Sequence, residues 1–166
     1  MTPLPGALGG SELVGWRIDQ LSYAATWETG EGALRVGGRW NSKGVRAVYC
    51  SVDPATAILE VAVHKGFDVL DTKPHVLTNF EIIDPTVVHV VDRSAVPNSN
   101  WLVPGSPSAG QQQFGDQLLK SHPFILIPST VSKYSWNLIF VSAVAAGAYR
   151  SVKQEPLAID TRLNPS

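Results

Sequence analysis

Several features that would place this chain in a broad class are absent from its sequence. It has one cysteine, so no internal disulfide can form and nothing indicates an oxidising compartment. No stretch approaches about 18 consecutive apolar residues, which argues against a membrane span. Thirteen Lys and Arg against fourteen Asp and Glu give a net charge of −1. This balance argues against nucleic-acid binding, which needs clustered basic residues. These absences favour a cytoplasmic protein.

The composition is that of one globular domain. The chain has 166 residues, 44% of them hydrophobic and only 16% charged, and a chain of this length can bury a core unaided. Residues 1–12 contain Pro and Gly but no basic residue, so we expect a flexible leader and not a secretion signal. Residues 13–166 are expected to form the domain. The stretch from Pro97 to Gly110 is expected to be a long surface loop, either a lid or a decoration.

Local patterns predict both strands and helices. Asp53 and Pro54 are a cap and first-turn pair, and Gly66 is a stop signal, so a helix is expected over 54–65. Glu60 interrupts the apolar pattern of this helix, whose core-facing residues are expected to be Ala55, Ile58, Leu59 and Ala62. A second helix is expected over 111–121. Strands are expected over 45–52, 76–82, 87–91, 124–127 and 157–159. The irregular mixture predicts an α+β fold.

The densest cluster of functional residue types is Gly37-Gly38-Arg39-Trp40-Asn41. Paired glycines allow close approach of a ligand, and an Arg fork can grip a phosphate with two parallel hydrogen bonds. Trp40 and Tyr49 could offer flat faces to a ring. The cluster therefore suits an anionic, aromatic ligand such as a nucleotide. The alternative is a hairpin that carries a surface Arg and two core aromatics.

A longer series of motifs resembles the RES domain family, which supplies the toxins of RES-Xre toxin-antitoxin systems. The resemblance covers nearly all of the chain after the leader, in order. It rests on Trp16-Arg17-Ile18, Gly37 to Gly44, Val48-Tyr49-Cys50-Ser51, Ala57-Ile58-Leu59-Glu60, Phe114-Gly115-Asp116, Ile127-Pro128-Ser129, Asn137 and Glu155 to Leu163. One departure is the segment after Asn137, which lacks the Asn-Pro-x-His-Pro run of many members.

The resemblance implies an ADP-ribosyltransferase-like fold, with a mixed β-sheet core flanked by helices, that consumes NAD as a substrate and uses no other cofactor. By analogy, Arg39, Tyr49, Glu60 and Ser129 form the catalytic set, and Arg17, Arg39 and Tyr49 bind NAD. The implied activity is cleavage of the nicotinamide-ribose bond with phosphate or water as acceptor, which would deplete NAD and arrest growth. The implied partner is an Xre-type antitoxin that covers the site.

The residue types suit this chemistry. Nicotinamide leaves a cationic pyridinium as a neutral base, so one carboxylate, Glu60, can suffice to stabilise an oxocarbenium-like transition state. Arg17 or Arg39 would bind the pyrophosphate, Tyr49 would position an aromatic ring, and Ser129 would bond the carboxamide or ribose. The four His and the single Cys lack metal-ligand spacing, so no metal site is expected. Cys50 is expected to be a small buried hydrophobe.

Each of these residues also has a purely structural interpretation. Glu60 could pair with Arg17 or Arg39, Tyr49 could be a strand core residue, and Ser129 could be a turn residue. Two other functions stay open: a mono-ADP-ribosyltransferase that modifies a protein, and a non-catalytic module that binds a nucleotide or a protein.

Overall fold

The computed structural model describes residues 12–97, 100–101, 103, 105, 107–132 and 134–163. Apart from Glu12, the expected leader lies outside the described residues. The strands are β1 Leu13–Gln20, β2 Val48–Ser51, β3 His75–Ile82, β4 Val88–Val90, β5 Phe124–Pro128, β6 Trp136–Phe140 and β7 Tyr149–Pro156. The α-helices are α1 Glu31–Val36, α2 Pro54–Lys65, α3 Phe67–Thr72 and α4 Ala109–Ser121. None of the described helices is long and apolar enough to cross a membrane.

The seven strands form one mixed sheet in the order β4-β5-β6-β2-β1-β3-β7. The β4–β5 pair is parallel, and the other neighbours are antiparallel. Strand β5 is buried at every residue, as expected of a strand covered on both faces. This mixture of helices with one mixed sheet confirms the α+β prediction.

The core has an aromatic centre on one face of the sheet. Phe80, Phe124 and Phe140 are fully buried, and their rings meet edge-on or tilted with those of Trp27 and Tyr149. Such ring pairs stabilise a core beyond the area they bury. A second cluster, around Trp40, Trp101, Leu119, Ile125 and Ile127, packs α4 against the sheet.

Helix α2 confirms the predicted bounds but turns a different face to the core. The Asp53 carboxylate accepts a 2.8 Å hydrogen bond from the Thr56 amide, which caps the helix as expected. Ala57 is buried, whereas Leu59 is 40% exposed and Ala55 is also exposed. The predicted core face was therefore wrong at Ala55 and Leu59. The helix meets β1 through the face that carries Ala57, Ile58 and Val61.

One strand prediction was wrong, and another was right in position but too long. No strand forms at 157–159; the last strand is β7, directly before it, and all but one of its residues are exposed. The predicted strand 45–52 is shorter, spanning only Val48–Ser51. The alternative interpretation of Gly37 to Asn41 was wrong in its hairpin, because this stretch is an irregular loop between α1 and β2. It was right that Trp40 is a core aromatic, since this side chain is buried and Tyr49 packs against the same cluster.

The junction between β1 and β2 creates the space for a site. In the described chain these two strands share a single register pair, Trp16 with Ser51, whereas β1 pairs with β3 along its whole length. Beyond that pair, the Arg17 side chain bridges the strands and donates a 2.8 Å hydrogen bond to the Tyr49 carbonyl. The pairing of β1 with β2 is thus incomplete in the middle of the sheet.

Candidate active site

A cleft of about 550 Å³ opens beside this junction. Its walls come from β1, β2, α2, the loop after α1 and the ends of β5 and β6. Four of the five residues predicted for the site line it together: Arg17, Arg39, Tyr49 and Glu60. The fifth, Ser129, is fully buried and lies behind Glu60.

The hydrogen bonds that hold the Glu60 carboxylate within the described residues are all made to one of its two oxygen atoms. Its Oε1 atom accepts a 2.7 Å hydrogen bond from Ser129 Oγ and a 2.8 Å bond from Asn137 Nδ2. Its Oε2 atom lies 3.9 Å from His64 Nε2, which is one turn along α2, and the side chain is 21% exposed. The two donors on Oε1 orient the carboxylate. Because neither donor uses Oε2, this second oxygen can interact with a group in the cleft.

Glu60 forms no ion pair with either cleft arginine in the described chain, so the structural alternative of a Glu60–arginine pair was wrong. Arg17 pairs with Asp19, and Arg39 donates to the Trp101 carbonyl at 2.9 Å. The carboxylate and the two guanidinium groups therefore share one cleft without neutralising one another.

Asn137 was one of the residues that carry the family resemblance, but it was not predicted to be a site residue. It lies on β6, lines the cleft and orients Glu60 together with Ser129. A signal existed, because Asn137 is a polar residue that directly precedes the buried run Leu138, Ile139 and Phe140. Buried polar side chains in such positions are usually hydrogen-bonded for a reason.

The loop that carries Arg39 is held from within by Asn41. This side chain is fully buried, and its Nδ2 atom donates to the carbonyls of Ala33 and Val45. The Tyr49 hydroxyl donates to Asn41 Oδ1 at 2.7 Å and accepts from the Trp40 amide at 3.0 Å. A Cβ at Gly38 would lie 2.6 Å from that hydroxyl oxygen, so the second glycine is required for this approach.

Tyr49 therefore uses its hydroxyl internally. Burial raises the pKa of the Tyr49 phenol well above its usual value, because the charged form would lose its hydration. Its hydroxyl stays protonated and holds the loop, and its ring forms part of the cleft wall.

Helix α4 holds the same loop from outside. Gln112 donates to the Gly38 carbonyl at 2.9 Å, and the Ser42 amide donates to the Asp116 carboxylate at 2.9 Å. Between these contacts, Gly115 lies against the Trp40 carbonyl. Gly115 is thus a contact point between α4 and the Arg39 loop.

The stretch from Pro97 to Gly110 contributes to the site. Its described residues include Trp101, which is buried and meets the Trp40 ring at 5.4 Å, and Gly105 and Pro107, which line the cleft. Through its carbonyl, Trp101 also anchors Arg39. The described part of this stretch is therefore a wall of the cleft.

Arg17 is bound to Asp19 through two parallel contacts. Its Nε atom donates to Asp19 Oδ2 at 3.0 Å, and its Nη2 atom lies 2.9 Å from Asp19 Oδ1. The side chains are 26% and 9% exposed respectively. Burial raises the pKa of the Asp19 carboxyl, and the Arg17 charge opposes that effect. The pair is a bidentate fork of the kind arginine favours.

Groups of three or more His, Cys, Asp or Glu side chains that could hold a metal ion are absent from the described residues. Cys50 lines the cleft but is only 4% exposed, and burial raises the pKa of its thiol to about 12. Its thiol is thus protonated near neutral pH, which makes it a poor nucleophile.

Comparison with known proteins identifies the family of this chain. The model of the RES domain matches residues 14–160, almost the whole described chain. The chain belongs to the RES domain family. The matched range includes the elements around the cleft of this RES domain: the Arg17 strand, the Arg39 loop, the helix of Glu60 and the strand end at Ser129.

Curated relatives agree with this assignment. "Toxin Res" of Photorhabdus laumondii is 30% identical over 157 residues, which cover 89% of this chain and 95% of the relative. "Prs ADP-ribosylating toxin" of a Sphingobium species is 32% identical over 130 residues, which cover 75% of this chain and 79% of the relative. The chain is a RES-domain toxin.

A solved structure gives the fold. The crystal structure of the M. tuberculosis MbcT-MbcA toxin-antitoxin complex contains a chain that matches with a TM-score of 0.68 and 19% identity, over 87% of this chain and 84% of that one. The fold is ADP-ribosyltransferase-like, as the motifs implied.

Proposed function

We propose that this RES-domain toxin cleaves the nicotinamide-ribose bond of NAD and so depletes the cell of it. The main support is the arrangement of Glu60, whose Oε1 is bonded by Ser129 and Asn137 while Oε2 is left to the cleft that also contains Arg39. The cleft thus offers a negative group for a developing cation and a positive group for the pyrophosphate.

In the proposed reaction the bond between C1′ of the ribose and the pyridinium nitrogen breaks, and its electron pair leaves with nicotinamide. Positive charge develops on C1′ and the ring oxygen, where the Glu60 carboxylate stabilises it. An oxygen of inorganic phosphate or water then bonds to C1′, and any proton it carries is released to solvent. Nicotinamide departs as a neutral molecule, so no general acid is needed.

Product analysis tests the reaction. Purified protein is incubated with NAD, with and without inorganic phosphate, and the products are identified by mass. We expect nicotinamide with ADP-ribose, or with its phosphorylated form when phosphate is the acceptor. Glu60→Gln should lower turnover about a hundredfold. Absence of nicotinamide release, or full activity of that variant, would refute the proposal.

The second candidate is transfer of ADP-ribose to a protein. It is favoured by the relative named "Prs ADP-ribosylating toxin", and the same cleft could serve it with a protein side chain as acceptor. NAD labelled in its adenine moiety separates the two: label that stays on protein after denaturation supports transfer, and label found only in small products supports NAD degradation.

We further propose that an Xre-type antitoxin covers the cleft and blocks entry of NAD, and that the toxin works in the cytoplasm. The structural neighbour comes from a toxin-antitoxin complex, and exposed apolar residues are available beside the cleft, such as Val36, which is 79% exposed. Co-expression tests the partner: the toxin alone should stop growth, and the antitoxin should restore it and protect NAD.

A further inference from the structure

The two arginines that line the cleft differ in how many of their N–H groups are already used. A guanidinium has five N–H donors. Arg17 uses its Nε and Nη2 on the Asp19 carboxylate and its Nη1 on the Tyr49 carbonyl. Among the described residues, Arg39 uses only Nη1, on the Trp101 carbonyl. Within the part of the chain that the structure describes, the Nε–Nη2 edge of Arg39 is therefore free, whereas that edge of Arg17 is occupied by Asp19.

The two arginines also differ in whether a carboxylate balances their charge. Asp19 lies in bidentate contact with Arg17 in a half-buried position, so the pair presents little net charge to the cleft. Lys65, which also lines the cleft, interacts electrostatically with the same Asp19. No described carboxylate forms an ion pair with Arg39.

We propose that Asp19 divides the recognition of the dinucleotide between the two arginines. Arg39 supplies the cationic fork that binds the pyrophosphate, and Arg17, neutralised and oriented by Asp19, donates its two remaining N–H groups to uncharged oxygen atoms of the same ligand. Asp19 is thus a positioning residue. This inference rests on the proposed function, because it takes the ligand of the cleft to be NAD.

Adenosine diphosphate is a suitable probe, since it carries the two phosphates without the scissile bond. Its binding to the full chain is measured by calorimetry. Arg39→Met should weaken binding at least thirtyfold, and Arg17→Met should weaken it threefold or less. Equal losses for the two variants, or wild-type affinity for Arg39→Met, would overturn the assignment.

Asp19→Asn gives the sharper test, because it keeps the shape of the side chain and removes its charge. Released from its counter-charge, Arg17 becomes a second full cation, so binding of adenosine diphosphate should tighten about threefold or more and depend more steeply on salt. Asp19→Glu keeps the charge and should bind like the wild type. A merely structural Asp19 would give weaker binding in Asp19→Asn, and that result, or unchanged binding, would refute its role.

This test separates the two proposals. A protein that binds adenosine diphosphate in the predicted manner but releases no nicotinamide would refute NAD cleavage and leave the division between the arginines intact. A protein that cleaves NAD but loses equal affinity in both arginine variants would do the reverse. If Arg17→Met does not fold, the outcome for Arg39→Met and Asp19→Asn decides.

Discussion

Gly115 of α4 lies so close to Trp40 that a Cβ atom on it would be 2.0 Å from the Trp40 carbonyl oxygen. Backbone meets backbone at this point, so the contact cannot be relieved by rotating a side chain. Because Trp40 follows Arg39 directly, the position of α4 determines where the Arg39 loop lies.

The first prediction is that Gly115→Ala displaces the loop. We expect a loss of about 1–3 kcal/mol in the free energy of unfolding and at least a tenfold loss of activity, measured by denaturant unfolding and nicotinamide release. Gly110→Ala is the matched control on the same helix, because a Cβ there meets nothing within 4 Å. Equal behaviour of the two variants would mean that the loop does not depend on this contact.

The second prediction concerns Ser129, which the structure places behind Glu60. Ser129→Ala removes one of the two donors to Glu60 Oε1, so kcat should fall about tenfold while KM stays nearly constant. Adding Asn137→Ala should give a non-additive loss, because both residues act on the same oxygen. Ser121→Ala, at the exposed end of α4, is the control. A rise in KM at constant kcat would instead indicate that Ser129 touches the substrate.

The third prediction separates the ring of Tyr49 from its hydroxyl. Tyr49→Phe keeps the ring but leaves the Trp40 amide without its acceptor and Asn41 Oδ1 without its donor. Losing these partners should cost about 1–3 kcal/mol in the free energy of unfolding. Tyr23→Phe, at a residue 61% exposed, should cost almost nothing. Unchanged stability in Tyr49→Phe would show that its hydroxyl does not hold the loop.

The fourth prediction concerns Cys50, the only cysteine. With its thiol pKa raised to about 12 by burial, native protein should resist thiol reagents at pH 8, and labelling should require unfolding. The unfolded thiol ionises near pH 8.5, so between about pH 8.5 and 12 the folded state binds more protons. Stability should therefore fall as pH rises through that range. Rapid labelling of native protein would contradict the burial of this thiol.

The local elements could be predicted where the chemistry is local. Asp53, Pro54 and Gly66 set both ends of α2 through cap and stop preferences that act within a few residues. Strand β5 could be predicted from its apolar, β-branched run. Strands β1, β6 and β7 escaped prediction. Arg17 and Asp19 interrupt the apolar pattern of β1, and β7 is exposed along almost its whole length, so its sequence shows no alternation of buried and exposed residues.

The candidate site also was predicted in part from the sequence and in part only seen in the structure. Its motifs singled out Arg17, Arg39, Tyr49 and Glu60, and these side chains do line one cleft. The motifs could not reveal the partner of each side chain. Ser129 donates a hydrogen bond to Glu60, the Tyr49 hydroxyl bonds the Arg39 loop, and Asp19 forms an ion pair with Arg17. These pairings depend on which groups meet after folding, and each donor or acceptor has several candidate partners in the chain.

By itself, the order of amino acids determined the family, the α+β class and the placement of Glu60 within α2, because each follows from motifs or from forces between near neighbours along the chain. Only the tertiary structure decided which oxygen of Glu60 accepts the hydrogen bonds of Ser129 and Asn137, since these two donors lie 69 and 77 residues away. It also decided which arginine is paired with a carboxylate, because such pairing acts over a few ångströms and depends on which groups the folded chain places together.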